Sequence, residues 1–140
     1  MLLLDNSAWA RLELASLPLR RRDEIATLIE NGEIAVCVPF LLEAGWSARS
    51  AAGHDQLLAD LLQLPRVTID AEIENSAITA QRALAHHAQH RSASPSDLLI
   101  AACAHHNAAG VLHYDHDYDV IAEHTALTFD SHWLVRAGTF

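Results

Sequence analysis

At 140 residues the chain has the size of a single domain. A domain of this length buries roughly 68–70% of the surface its unfolded form exposes, so neither disulfides nor a structural metal are needed to hold it together. Hydrophobic residues make up 51% of the chain, which excludes disorder, and the formal net charge of −9 argues against non-specific binding to nucleic acid or to an anionic membrane.

In chain order, MLLLD reads as a short buried strand closed by Asp5. SAWARLELAS follows as a helix, with Asn6 or Ser7 near its cap and Pro18 as its breaker. Residues 20–31 read as a second helix ended by Gly32, and EIAVCV as a second, β-branched strand. Pro39 suits a first helical position, with FLLEAGWSARSA continuing that helix. HDQLLADLLQL is amphipathic and stopped by Pro65, and RVTID reads as a third strand. AEIENSAITAQRALAHHAQH is the longest helix candidate, with Ile73, Ala77, Ala80 and Leu84 along one face. RSASPSD is a helix start, with Ser94 as cap, Pro95 first and Asp97 third, and the helix runs to about Ala109, ended by Gly110. GVLHY is a fourth strand, HDYDVIAEH a short helix and ALTFD a fifth strand, leaving SHWLVRAGTF as a tail. Strands alternating with helices imply a mainly parallel central sheet covered on both faces. The expected architecture is therefore an α/β fold, a compact three-layer α/β/α sandwich in one domain over residues 1–140.

Several chemistries are excluded outright. All nine basic residues are arginine, so there is no phosphate-binding Walker lysine, no Schiff-base lysine and no receiver-domain lysine. Cys37 in IAVCVP and Cys103 in LLIAACA read as buried reduced thiols. The N-terminus lacks a basic region and Asp5 interrupts its apolar run, unlike a secretory signal. No apolar stretch approaches the ~18 residues of a spanning helix, so a cytoplasmic location is expected.

What remains is a pattern of acids placed where apolar runs stop: Asp5 after the first strand, Glu43 one turn into the helix after the second, Asp97 opening the small-residue helix, and Asp115 and Asp117 after the fourth. Each has an ordinary structural role open to it. Asp5 can cap a helix, Glu43 can complement a helix dipole, Asp97 occupies a capping-box position, and Asp115, Asp117 and Asp119 can form a polar turn. Taken together they fall at the carboxyl ends of strands, where open α/β sheets bind ligands. Four or more carboxylates gathered there cannot all stay ionised near pH 7 without a cation, and an oxygen-only set suits Mg²⁺ or Mn²⁺.

The segments LLLDNSAW, PFLLEAGWSAR, SPSDLLIAACA and LHYDHDYDVIA resemble the four acidic motifs of the PIN-domain nucleases, in an order and spacing similar to those of VapC toxins of bacterial toxin–antitoxin pairs, over essentially the whole chain. Asp5 with Ser7, Asp97 before an Ala-rich helix, and Asp115-x-Asp117 before Tyr118 carry the resemblance most specifically. His113 stands where the family often has a small hydroxyl residue. The resemblance implies a Mg²⁺- or Mn²⁺-dependent endoribonuclease. Asp5 and Asp97 would be the main direct ligands, Glu43 and Asp115 would complete the ring, and Asp117 would support a second metal or orient ligands. Ser7 would hold Asp5 or the scissile phosphate. Cleavage would leave a 5′-phosphate and a 3′-hydroxyl. It also implies a homodimer and a cognate VapB-type antitoxin, whose arginine could replace a metal in the pocket. A PIN-like nuclease of RNA maturation without an antitoxin, and a non-catalytic PIN-fold scaffold, are the rival readings.

Other features have plainer expectations. His86 and His90 share helical spacing but need converging partners to bind zinc. His105 and His106 sit at a helix C-terminus, where positive charge is favoured. His116 lies between two site acids and could approach a substrate phosphate. Arg20–Arg22 read as a solvated helix start, and Trp9 and Trp46 as packing residues.

Overall fold

Leu2–Leu4 forms strand β1, the strand from which the sheet is organised. A computed structural model of the chain describes all of residues 1–140. Ile34–Ala35 (β2) pairs with β1 on one side and Gly110–His113 (β3) on the other, and Asp130–Trp133 (β4) pairs with β3, all in parallel, giving the order β2-β1-β3-β4. Between them run α1 (Asn6–Trp9), α2 (Leu19–Glu30), α3 (Val38–Trp46), α4 (Ala51–Leu61), α5 (Ala71–His86), α6 (Pro95–His106) and α7 (Asp117–His124). The connection from β1 leads to one neighbour and the later connections lead the other way. Right-handed crossovers in opposite directions put helices on opposite faces, which produces three layers. Buried on both faces, β1, β2 and β3 are nearly all apolar: Leu3, Leu4, Ile34, Ala35, Val111 and Leu112 are at most 1% exposed. The face of α5 predicted from its spacing, Ile73, Ala77, Ala80 and Leu84, is the face that is buried. No helix is long and apolar enough to cross a membrane.

Four element expectations are corrected. The helix expected over SAWARLELAS is one turn, α1, followed by tight turns. Leu12 and Leu17 both enter the core, and a straight helix would point residues five apart in directions roughly 140° different. The strand RVTID is reduced to a single parallel bridge, Val36 to Arg66. Val36 is the last residue free to pair there, because Cys37 already caps α3. The last strand is Asp130–Trp133, which keeps only the final residue of ALTFD and otherwise lies in the segment read as a tail. Its register against β3 runs from Gly110↔Asp130 to His113↔Trp133, and it delivers Leu134 fully into the core.

Finally, Gly110 does not end α6. Ala108 takes the left-handed turn at φ +49°, and Gly110 opens β3 instead. A Cβ at Gly110 would lie 2.8 Å from Leu2 Cδ2 and 2.9 Å from the backbone oxygen of Asp130, so the strand crossing demands a glycine. Gly110→Ala is therefore expected to lower stability by about 1–3 kcal/mol, the usual cost of overpacking, as a shift in denaturant midpoint.

Candidate metal centre

β1 and β3 are adjacent, and the chain leaves them toward opposite edges of the sheet. The crevice beyond their carboxyl ends is therefore a topological switch point, the place where such sheets bind ligands. Asp5 follows β1 and Asp115 follows β3, so two of the predicted acids are delivered here by the sheet itself. Asp97 arrives from the first turn of α6, Glu43 from α3, and Asp117 from the start of α7.

Asp5 is 3% exposed and extended, and caps α1. Its Oδ2 accepts from the Ser7 backbone N–H at 2.9 Å and from the Ser7 hydroxyl; its Oδ1 accepts from the buried Tyr118 hydroxyl at 2.7 Å. Ser7 Oγ in turn accepts from the Tyr114 backbone N–H at 2.9 Å, tying the loop after β3 to α1. Ser7 thus links Asp5 to the loop after β3. Tyr118 was legible only as an aromatic after Asp117; that its hydroxyl reaches across to Asp5 depends on packing α7 under the sheet end. Tyr118→Phe leaves that buried carboxylate oxygen without its donor. It is expected to cost about 1.5–3 kcal/mol, the scale of a hydrogen bond to a charged group, read as a lowered denaturant midpoint.

Asp97 is 6% exposed. Its Oδ2 accepts from Ser94 N–H at 3.1 Å while its own N–H donates to Ser94 Oγ at 3.1 Å, a complete capping box. The cap engages Oδ2, and no hydrogen bond occupies the other carboxylate oxygen. Asp115 Oδ1 accepts from the Asp117 N–H at 2.9 Å. Carboxylate oxygens of Asp97, Asp115 and Asp117 all lie within 4.8 Å of one another. Asp5 and Glu43 stand outside that trio but close enough to act on it electrostatically.

That crowding is visible in the proton affinities. Burial, with Asp5 and Asp115 adding repulsion, pushes the Asp97 carboxyl up to about 7 against the pull of the Ser94 N–H. Burial and then the same two acids raise Glu43, and burial and then Asp115 raise Asp117, opposed by His116. Glu43 Oε2 is buried and has no hydrogen-bond partner. Like charges ~5 Å apart repel by roughly 3–4 kcal/mol at an effective dielectric of about 20. A buried orphan oxygen and three converging carboxylates, all hard oxygen donors, fit Mg²⁺ or Mn²⁺.

The histidines behave otherwise. His86 and His90 are exposed and join no cluster of metal-binding groups. His116 Nδ1 lies 3.5 Å from Asp119. Arg20 pairs with Glu24 at 3.2 Å, while Arg21 and Arg22 donate to the backbone oxygens of Leu134 and Leu14. Trp9 packs on the core, whereas Trp46 is 89% exposed.

Residues 2–124 match the family model of the PIN domain. The chain is 38% identical to Ribonuclease VapC18 of Mycobacterium tuberculosis, covering 97% of this chain and 96% of the relative. It is 37% identical to Ribonuclease VapC51 of the same organism, covering 98% and 95%. Its fold is similar to that of a chain in the crystal structure of VapBC2 from Rickettsia felis bound to a promoter DNA fragment, with a TM-score of 0.72 at 15% identity over 94% of this chain and 97% of the other. A chain of DNA-bound VapBC from Salmonella typhimurium gives 0.70 at 16% identity, over 96% and 100%.

Proposed function

The chain belongs to the PIN-domain family, in its VapC branch, and on that premise we propose that it is a divalent-metal-dependent endoribonuclease and the toxin of a toxin–antitoxin pair. The observation that carries the reading is the convergence of Asp97, Asp115 and Asp117 within 4.8 Å at the switch point of the sheet, with Asp5 and Glu43 bearing on them. Asp97, Asp115 and Asp117 would hold Mg²⁺ or Mn²⁺, joined by Asp5 and Glu43 directly or through water. Such an ion would lower the pKa of a water and stabilise charge developing on a phosphodiester.

The chain's own groups prepare the site. Ser7 and Tyr118 clamp the two oxygens of Asp5, the Ser94 capping box aims Asp97, and the Asp117 N–H orients Asp115. Burial raises the proton affinity of both Glu43 and Asp97, so a cation held there would compete with protons for these carboxylates. With a chain net charge of −9, a cation in the pocket would reduce the repulsion of RNA phosphates there.

Partner readings follow from relatives and surface. The fold neighbours are VapBC structures, which supports a VapB-type antitoxin as partner. A cleft of about 630 Å³ lined by Val38, Ile69, Ile78 and Leu99 adjoins the exposed Leu42 and Trp46; an apolar strip of this kind supports a homodimer. The test of the activity is incubation of purified protein with total cellular RNA. Discrete cleavage with Mn²⁺ that stops in EDTA is expected, and cleavage indifferent to EDTA would defeat the reading.

A further inference from the structure

We propose that a hydrogen-bonded chain, Asp119–Ser131–His113, sets the position of the Asp115–Asp117 loop, making these three positioning residues of the acidic site. The inference rests on the nuclease reading above and extends it to residues outside the acidic cup. His113 ends β3 and is fully buried. The backbone N–H of Asp115 donates to its Nδ1 at 3.1 Å. Nδ1 is thereby the accepting nitrogen, so Nε2 carries the hydrogen and donates to Ser131 Oγ at 2.8 Å. The Ser131 hydroxyl donates to Asp119 Oδ1, and the Trp133 indole N–H donates to Asp119 Oδ2 at 3.1 Å and to Oδ1 at 3.4 Å.

From the Asp115 N–H through His113 and Ser131 to Asp119 the donors all point one way, and Asp119 also accepts from the Trp133 indole N–H with both of its oxygens. The far end is anchored on β4, through Ser131 and Trp133, and on α7, through Asp119. The near end fixes the backbone of Asp115, whose side chain in turn fixes the backbone of Asp117. The His113 ring is also wedged against Tyr118, 4.8 Å between centroids, and Trp133, 5.0 Å. Edge strand β4 therefore serves as the abutment for two of the acids, and partners of this kind orient metal-binding carboxylates.

The test uses the full-length protein and Mn²⁺ alone as probe, by titration calorimetry. Ser131→Ala is expected to weaken Mn²⁺ binding by about 10–100-fold, the usual effect of losing an outer hydrogen bond at a metal site, and Ser131→Thr, which keeps the hydroxyl, to return within about threefold of wild type. His113→Asn keeps an acceptor near Nδ1 and should weaken binding less than His113→Leu. RNA cleavage by Ser131→Ala should fall at limiting Mn²⁺ and recover at saturating Mn²⁺. A part played only in stability would lower the melting temperature of the metal-free variants and leave Mn²⁺ affinity unchanged. That result, in a Ser131→Ala protein beside a wild type that binds Mn²⁺ and cleaves RNA, overturns the positioning role alone. A wild type that does not bind Mn²⁺ overturns the nuclease reading and this inference with it.

Discussion

Asp97→Asn is expected to lower RNA cleavage at saturating Mn²⁺ by at least about a hundredfold, since changes even to outer partners of metal sites reach that scale, while making the metal-free protein more stable at neutral pH. The two effects share one cause. Asp97 sits buried among Asp115, Asp117 and Asp5, where a carboxylate is useful to a cation and costly to the fold without one. Asparagine keeps an oxygen to accept from Ser94 N–H, so the cap survives and only the charge is lost. The melting temperature of metal-free Asp97→Asn should exceed that of wild type by roughly 5 °C, equivalent to a stabilisation of about 1–2 kcal/mol in a chain of this size. Mn²⁺ should raise the melting temperature of wild type and leave the variant nearly unmoved. A variant that cleaves as wild type, or melts well below it, contradicts this account of the residue.

The second large effect is the pH dependence of the metal-free fold. The folded Asp97 carboxyl, at about 7, lies above its ordinary 3.8. The folded state therefore holds a proton that the unfolded state gives up. The stabilisation is complete below about pH 4 and is lost as the pH climbs through 7. A displacement of this size corresponds to roughly 4 kcal/mol over that interval. Glu43 and Asp117 are raised as well and act in the same direction. Metal-free protein should accordingly be more stable to urea near pH 5 than near pH 8, the reverse of a fold stabilised by ionised, well-paired acids. In Asp97→Asn the slope should flatten. With Mn²⁺ present it should invert, because the cation needs the deprotonated ligands. A metal-free stability that rises from pH 5 to pH 8 would remove the crowding argument.

Much of this site could be read from sequence because it is organised by strand ends. An acid that terminates an apolar run, as Asp5 does in MLLLD, is placed by the sheet whatever the surrounding helices do. Asp97 was equally visible, since the Ser94-Pro95 start fixes which turn of α6 it occupies. Elements failed where tertiary pairing overrode local pattern. β4 consists of Asp130, Ser131, His132 and Trp133, of which only the tryptophan favours a strand. Its place is dictated by pairing with β3 and by the burial of Leu134. RVTID has better strand chemistry yet contributes one bridge, for want of a partner beyond Val36. The misreading of β4 also hid the His113–Ser131–Asp119 chain, because two of its links join residues eighteen and twelve positions apart in sequence. Asp119 looked like one more acid of a polar turn, and the structure turns it away from the trio toward Ser131 and Trp133.

The central claim is that these acids are gathered to hold a hard divalent cation, and titration of Mn²⁺ into the purified protein at pH 6.5 and pH 8.5, each in two buffers of different ionisation enthalpy, tests it most directly. The account predicts saturable binding accompanied by proton release at pH 6.5, where Asp97 is largely protonated, little release at pH 8.5, and loss of both in Asp97→Asn. Absence of Mn²⁺ binding at either pH, or binding and proton release that survive Asp97→Asn unchanged, would contradict it.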